Sequence, residues 1–98
     1  MTARRRWLVA YDIRDERRLR RVHDVVRCHG YRLQYSVFLC DLTPAEKFGL
    51  MVALREVINS REDSIALIDL GELGRIGGAR IEFMGASLPL PDGGSTIV

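Results

Sequence analysis

Residues Tyr31 to Leu42 run YRLQYSVFLCDL, and the fold turns on how this stretch is read. It is rich in aromatic and β-branched residues, so it is extended rather than helical. Twelve residues is long for one strand. A bend or bulge near Gln34 to Ser36 should therefore divide it into a short strand and a longer one. Upstream, Arg6 to Ile13 (RWLVAYDI) is a nearly continuous apolar run, as expected of a strand covered on both faces. Trp7, Val9 and Tyr11 point one way along it, and Leu8, Ala10 and Asp12 the other. Between these extended segments, Asp15 stands as the N-cap of a helix running to about His29. Leu19, Val22, Val25 and Val26 form its apolar stripe, Arg17, Arg20, Arg21, Asp24 and Arg27 fall opposite, and Gly30 follows as a C′ residue would.

Downstream, Thr43-Pro44-Ala45-Glu46 is a helix start: Thr as N-cap, Pro at the first helical position and Glu three residues after the cap. Phe48, Met51, Leu54, Val57 and Ile58 supply the buried stripe, and the helix should reach about Ser60. Ser64 to Leu70 (SIALIDL) reads as a further strand. After the glycines at 71, 74, 77 and 78, Arg80 to Met84 (RIEFM) reads as another. The tail contains Pro89, Pro91, Gly93 and Gly94 and offers no regular element before Thr96 to Val98, which could pair with a sheet edge. The order is β-α-β-β-α-β with an additional C-terminal strand. Two helices on one face of an antiparallel sheet make a ferredoxin-like α+β sandwich. Residues 1–85 are expected to form the domain, with 86–98 as a tail. The sheet's second face is apolar as well, and a second copy of the chain is its expected cover, giving a homodimer.

A chain of 98 residues can build only one core, and its 47% apolar and 29% charged residues are ordinary for a soluble protein. No apolar run nears the roughly 20 residues that cross a bilayer, so no membrane partner is expected. Cys28 and Cys40 form no CxxC and have no second pair, which points to reduced thiols and a cytoplasmic location; as small apolar side chains both belong in the interior. The net charge of +2 conceals an asymmetry: ten bases against four acids through Arg32, and five against nine beyond it. Fourteen of the fifteen bases are Arg, whose planar fork suits phosphate; a solvated face in an Arg-rich chain is the plainer reading, at even weight.

Asp12 is the most informative residue. It closes an apolar strand, where an ionised carboxylate needs a hydrogen bond, a cation or a metal. A turn satisfied by the amides of Arg14 or Asp15 would account for it; so would a site on a dimer axis, where two copies share one Mg²⁺. His23 and His29, six apart, lack the spacing of a metal pair and read as histidines at the core boundary. There is no GxGxxG, P-loop, GxSxG or HExxH. Tyr35 and Phe38 are three apart, so on a regular strand they face opposite ways and cannot make an RNA-stacking platform; one belongs in the core and the other in a dimer interface.

Taken in order, LVAYDI at 8–13, RLRRV at 18–22 and GYRLQYSVF at 30–38 resemble the Cas2 family of CRISPR-associated endoribonucleases, and DSI at 63–65 and IEFMG at 81–85 fit the same pattern. The resemblance implies a homodimer of ferredoxin-like protomers whose last strand crosses to the partner's sheet. It implies a nuclease site at Asp12, paired with its symmetry mate around Mg²⁺ or Mn²⁺. Tyr11, Arg18, Arg21, Arg32 and Phe38 occupy positions similar to family residues around that cleft. With Arg14, Arg17, Arg20 and Arg27, the arginines are the expected phosphate ligands, and Ser36 either bonds near the acid or serves only as a bend residue. RNA or double-stranded DNA is the implied substrate and the CRISPR integrase the implied partner. A dimer that bridges the integrase and lays duplex DNA across its arginines without cleaving it fits the same residues.

Overall fold

A computed structural model describes residues 3–73 and 81–86 and the backbone of residues 95–97. The elements are β1 (Arg5–Asp12), α1 (Glu16–Arg27), β2 (Tyr31–Gln34), β3 (Val37–Leu42), α2 (Pro44–Val57), β4 (Ser64–Glu72), β5 (Ile81–Phe83) and β6 (Ser95–Ile97). The first four strands form a sheet in the order β2-β3-β1-β4, with β1 antiparallel to both neighbours. This is the ferredoxin-like α+β arrangement. β5 and β6 pair in parallel as a separate two-stranded sheet. The glycines at 74, 77 and 78, Arg80, the prolines and glycines of the tail, and Val98 lie outside the described residues.

Local chemistry explains most boundaries. The long extended stretch divides at Tyr35-Ser36, which turn between β2 and β3 as a two-residue hairpin. Asp15 caps α1 by accepting from the Arg18 amide at 3.0 Å. Thr43 and Glu46 form the reciprocal capping box of α2, with the Glu46 amide donating to Thr43 Oγ1 at 3.2 Å and the Thr43 amide donating to Glu46 Oε1 at 2.9 Å. Gly30 and Phe48 depart from expectation. Gly30 is not a left-handed helix terminator, since Gly71 and Gly85 are the positive-φ glycines among the described residues. It is a close-approach position, where a Cβ would overlap the Leu39 carbonyl oxygen and Cys40 Sγ. Phe48 does not join the core and is 68% exposed, because the α2 stripe runs through Leu50 and Leu54. Two turns before Leu54 the same helical face carries Lys47, whose Nζ sits 4.1 Å from the Trp7 ring centroid.

The core lies between the sheet and the helices. Val9, Tyr11, Val22, Val26, Phe38, Cys40, Leu42, Leu50 and Leu54 are buried there, with Trp7, Leu19, Val25, Ile65 and Leu67 packed around them. Cys40 follows expectation, and burial, with a smaller contribution from Asp41, pushes its thiol up to about 12. Cys28 does not: it caps the C-terminus of α1 and is exposed. On the opposite face Leu8 and Ala10 are half-buried, Ala66 is exposed and Ile68 is 50% exposed. Arg6 and Asp41, directly opposite each other on β1 and β3, form a two-bond ion pair there at 2.8 and 3.1 Å.

Candidate acidic site and nucleic-acid interface

Asp12 ends β1 opposite Ser64 of β4, and the Tyr35-Ser36 turn reaches the same end of the strand because the Tyr11 amide donates to the Ser36 carbonyl at 3.1 Å. Three aspartates gather near this end of the sheet, and two of them serve the backbone. Asp15 caps α1. Asp63, whose side chain is fully buried, accepts from the Arg14 amide at 3.0 Å, the Asn59 amide at 2.8 Å and Arg18 Nε at 2.7 Å. The Arg18 guanidinium, helped by those amides and opposed by burial, holds the Asp63 carboxyl well below the usual carboxylate range. Asp63 in turn raises Arg18, with a smaller contribution from Glu62 at 2.9 Å. The Asp12 side chain is exposed and has no hydrogen-bond or ion-pair partner among the described residues. The Arg14 amide, one of the two donors that a turn around Asp12 would use, goes to Asp63 instead.

Sequence reasoning placed Asp63 in the DSI pattern at 63–65 and gave it no role. Its one visible signal is an acid immediately before the apolar strand that pairs with β1, and its cation lies 45 residues upstream.

Tyr11 and Phe38 are interior residues, stacked with ring centroids 6.3 Å apart. The Tyr11 hydroxyl meets His23 Nδ1 at 3.0 Å, and His23 packs edge-on to Phe38 at 5.3 Å. Burial raises the Tyr11 phenol, an effect Arg32 opposes; burial and then Arg32 and Arg27 lower His23, which is therefore neutral at pH 7. Ser36 joins this corner through its backbone carbonyl. Tyr35 departs from the two-sided reading. It belongs to a turn rather than a strand, its ring lies 6.4 Å from His23 on α1, and it is 65% exposed beneath the Arg32 guanidinium, 5.3 Å from the ring centroid. Tyr35 and Phe38 thus approach the same histidine.

The charge asymmetry resolves into two groups. Arg4, Arg5, Arg6 and Arg18 pair with Glu46, Asp69, Asp41 and Asp63, acids drawn from the second part of the chain. Arg14, Arg17, Arg20, Arg21 and Arg32 are exposed and have no acidic partner among the described residues, while Arg27 pairs with Asp24 in an exposed contact at 3.2 Å. Of the expected phosphate ligands, Arg18 alone is committed to a buried carboxylate. Among the described residues no three His, Cys, Asp or Glu side chains gather as a metal cluster. Asp12 offers one hard oxygen donor of the kind Mg²⁺ takes.

Residues 5–74 match the family described as CRISPR associated protein Cas2. A CRISPR-associated endoribonuclease Cas2 of Thermodesulfovibrio yellowstonii is 34% identical over 87 residues, covering 89% of this chain and 90% of that protein. Among solved structures, Streptococcus pyogenes Cas2 at pH 6.5 superposes with a TM-score of 0.63 and 38% identity over 67% of this chain and 86% of its own. A hypothetical protein of Thermus thermophilus superposes with a TM-score of 0.75 and 25% identity over 87% of this chain and 95% of its own.

Proposed function

The chain belongs to the family of CRISPR associated protein Cas2, and from that premise we propose that it is an endonuclease of CRISPR adaptation, a homodimer that cleaves RNA or DNA with a divalent cation at Asp12. The observation that carries this reading is Asp12 itself. It is an exposed carboxylate without an internal partner, while its two acidic neighbours are bound to backbone amides. The apolar face of Leu8, Ala10, Ala66 and Ile68 supports the dimer, since burying it against a second copy removes this surface from water and sets Asp12, on that same face, near its duplicate. β5 and β6, paired apart from the four-stranded sheet, are available to lie along the partner's edge.

The two Asp12 carboxylates would hold Mg²⁺ or Mn²⁺, which supplies Lewis-acid polarisation of a phosphate oxygen and an activated water. Asp63 fixes the chain just beyond Asp12 by gripping the Arg14 amide, so the catalytic carboxylate stands on a strand end that cannot swing. Arg14 and Arg17, in the turn and first helical residues that follow, place positive charge where a phosphodiester backbone would approach. The neighbouring integrase subunit is the proposed partner, and the cytoplasm the proposed location.

Asp12→Asn tests the chemistry. The variant should remain dimeric in sedimentation and lose cleavage of single-stranded RNA or duplex DNA by on the order of 100-fold or more in Mg²⁺. Cleavage at the unsubstituted rate would remove Asp12 from the mechanism.

A second reading is favoured by a different observation. The unpaired arginines of α1 spread along its outer face instead of converging on Asp12, as suits a scaffold holding duplex DNA across the dimer without cutting it.

A further inference from the structure

On the helix side of the sheet, a recess of about 250 Å³ opens between α1 and the β2–β3 hairpin, lined by Leu19, Arg20, His23, Asp24, Arg32 and Tyr35. Its composition is unusual for a surface hollow. Tyr35 presents a ring that is 65% exposed, although a turn would accept a small polar residue at no cost in apolar hydration. The Arg32 guanidinium lies over that ring at 5.3 Å, which holds the aromatic plane in place. Arg20 and Arg32 have no acidic partner among the described residues, and the recess's one acid, Asp24, is paired with Arg27. The opening is therefore cationic at its rim and aromatic within. His23 adds a neutral ring whose Nδ1 is engaged by Tyr11, leaving Nε2 as its remaining hydrogen-bonding atom.

Position gives the recess its meaning. Ser36 receives the Tyr11 amide, so the turn that carries Tyr35 closes beside the end of β1, while the recess faces the helix side of the sheet and Asp12 stands on the other. A strand held by the exposed arginines of α1 passes this recess, since Arg20 belongs to both.

We propose that this recess is a nucleobase subsite, in which one unpaired base stacks on Tyr35 while Arg20 and Arg32 hold the phosphates on either side of it. The subsite rests on the reading of the chain as a nucleic-acid enzyme, and it can fail while that reading stands. It makes no use of base-edge readout, so any base fits, and it requires the strand to be open at that nucleotide.

The experiment uses a hexaribonucleotide with 2-aminopurine at alternate positions and an abasic ribose-phosphate hexamer of the same length, both in EDTA so that no cleavage occurs. The unsubstituted protein should quench 2-aminopurine fluorescence on binding. Tyr35→Ala should abolish the quench and weaken binding by about 5- to 100-fold, the range for loss of one stacking aromatic. Tyr35→Trp should keep both. On the abasic hexamer, Tyr35→Ala and the unsubstituted protein should bind alike. Unchanged quenching by Tyr35→Ala would overturn the subsite, as would an equal loss on the abasic hexamer, which would make Tyr35 only a support for Arg32. Failure of the unsubstituted protein to bind either oligonucleotide would overturn the subsite and single-stranded RNA as the substrate, while binding of duplex DNA would keep the nucleic-acid reading itself. Tyr35 is an exposed turn residue, and circular dichroism of the variants checks that the fold persists.

Discussion

Asp63 ties three separate pieces of chain to one carboxylate: the loop after β1, the loop before β4 and the first turn of α1. Because its carboxyl is held well below the ordinary range in the folded state, its contribution to stability is complete above the unfolded value of about 4. That contribution is lost progressively as the pH falls below it toward the folded value. Asp63→Asn keeps the shape but loses the charge, so its melting temperature should lie below that of the unsubstituted chain at pH 7, and the gap should narrow on acidification to pH 2. A gap independent of pH would mean that shape alone matters at this position. Asp12 should behave in the opposite way. Having no internal partner, Asp12→Asn should alter the urea unfolding free energy by no more than about 0.5 kcal/mol, so that lost cleavage cannot be attributed to unfolding. Gly30→Ala places a methyl group against β3 and should destabilise by about 1–3 kcal/mol in the same measurement.

Among the elements, α2 has a start set entirely by side chains close in sequence, and Thr43→Ala should cost about 1 kcal/mol by removing the acceptor for the Glu46 amide. Such local devices are what the sequence displays. The caps at Asp15 and Thr43, the stripe of α1 and the division of the long extended segment at Tyr35-Ser36 all follow from residues within a few positions of one another. Where distant chain decides, reading stops. Arg18 looks like its neighbours Arg17, Arg20 and Arg21 until Asp63 arrives from the start of β4, and Gly30 looks like a helix terminator until β3 packs on it. Phe48 differs for a subtler reason: its hydrophobicity marks it for the buried stripe, while the helical period from Leu54 assigns the place to Lys47 and its long apolar stem. The outer face of α1 carries its own test. Reversing charge at Arg17, Arg20 and Arg27 should weaken duplex DNA binding and flatten its dependence on salt, by a slope of about 0.9 for each phosphate no longer neutralised. Unaltered binding would make this face merely solvated.

At the scale of the molecule, one layer of helices covers one side of the sheet, and among the described residues the other side shows water an apolar row ending in Ile68. Ile68→Asp is the discriminating change. If a second copy covers this face, the substitution sets an unpaired charge on each side of the contact, and sedimentation should shift from dimer to monomer at micromolar concentration. If the face is open to solvent, a half-exposed carboxylate costs little and the sedimentation profile stays the same. The two sulfurs offer an independent report on the folded whole. Cys28 stands in water and should react with a thiol reagent at once, whereas Cys40 lies beneath Gly30 at the centre of the sheet with a thiol reluctant to ionise. Its labelling must wait until β3 parts from the helices, so the slow second equivalent of reagent is a clock that counts openings of the entire domain, without any probe having been engineered into it.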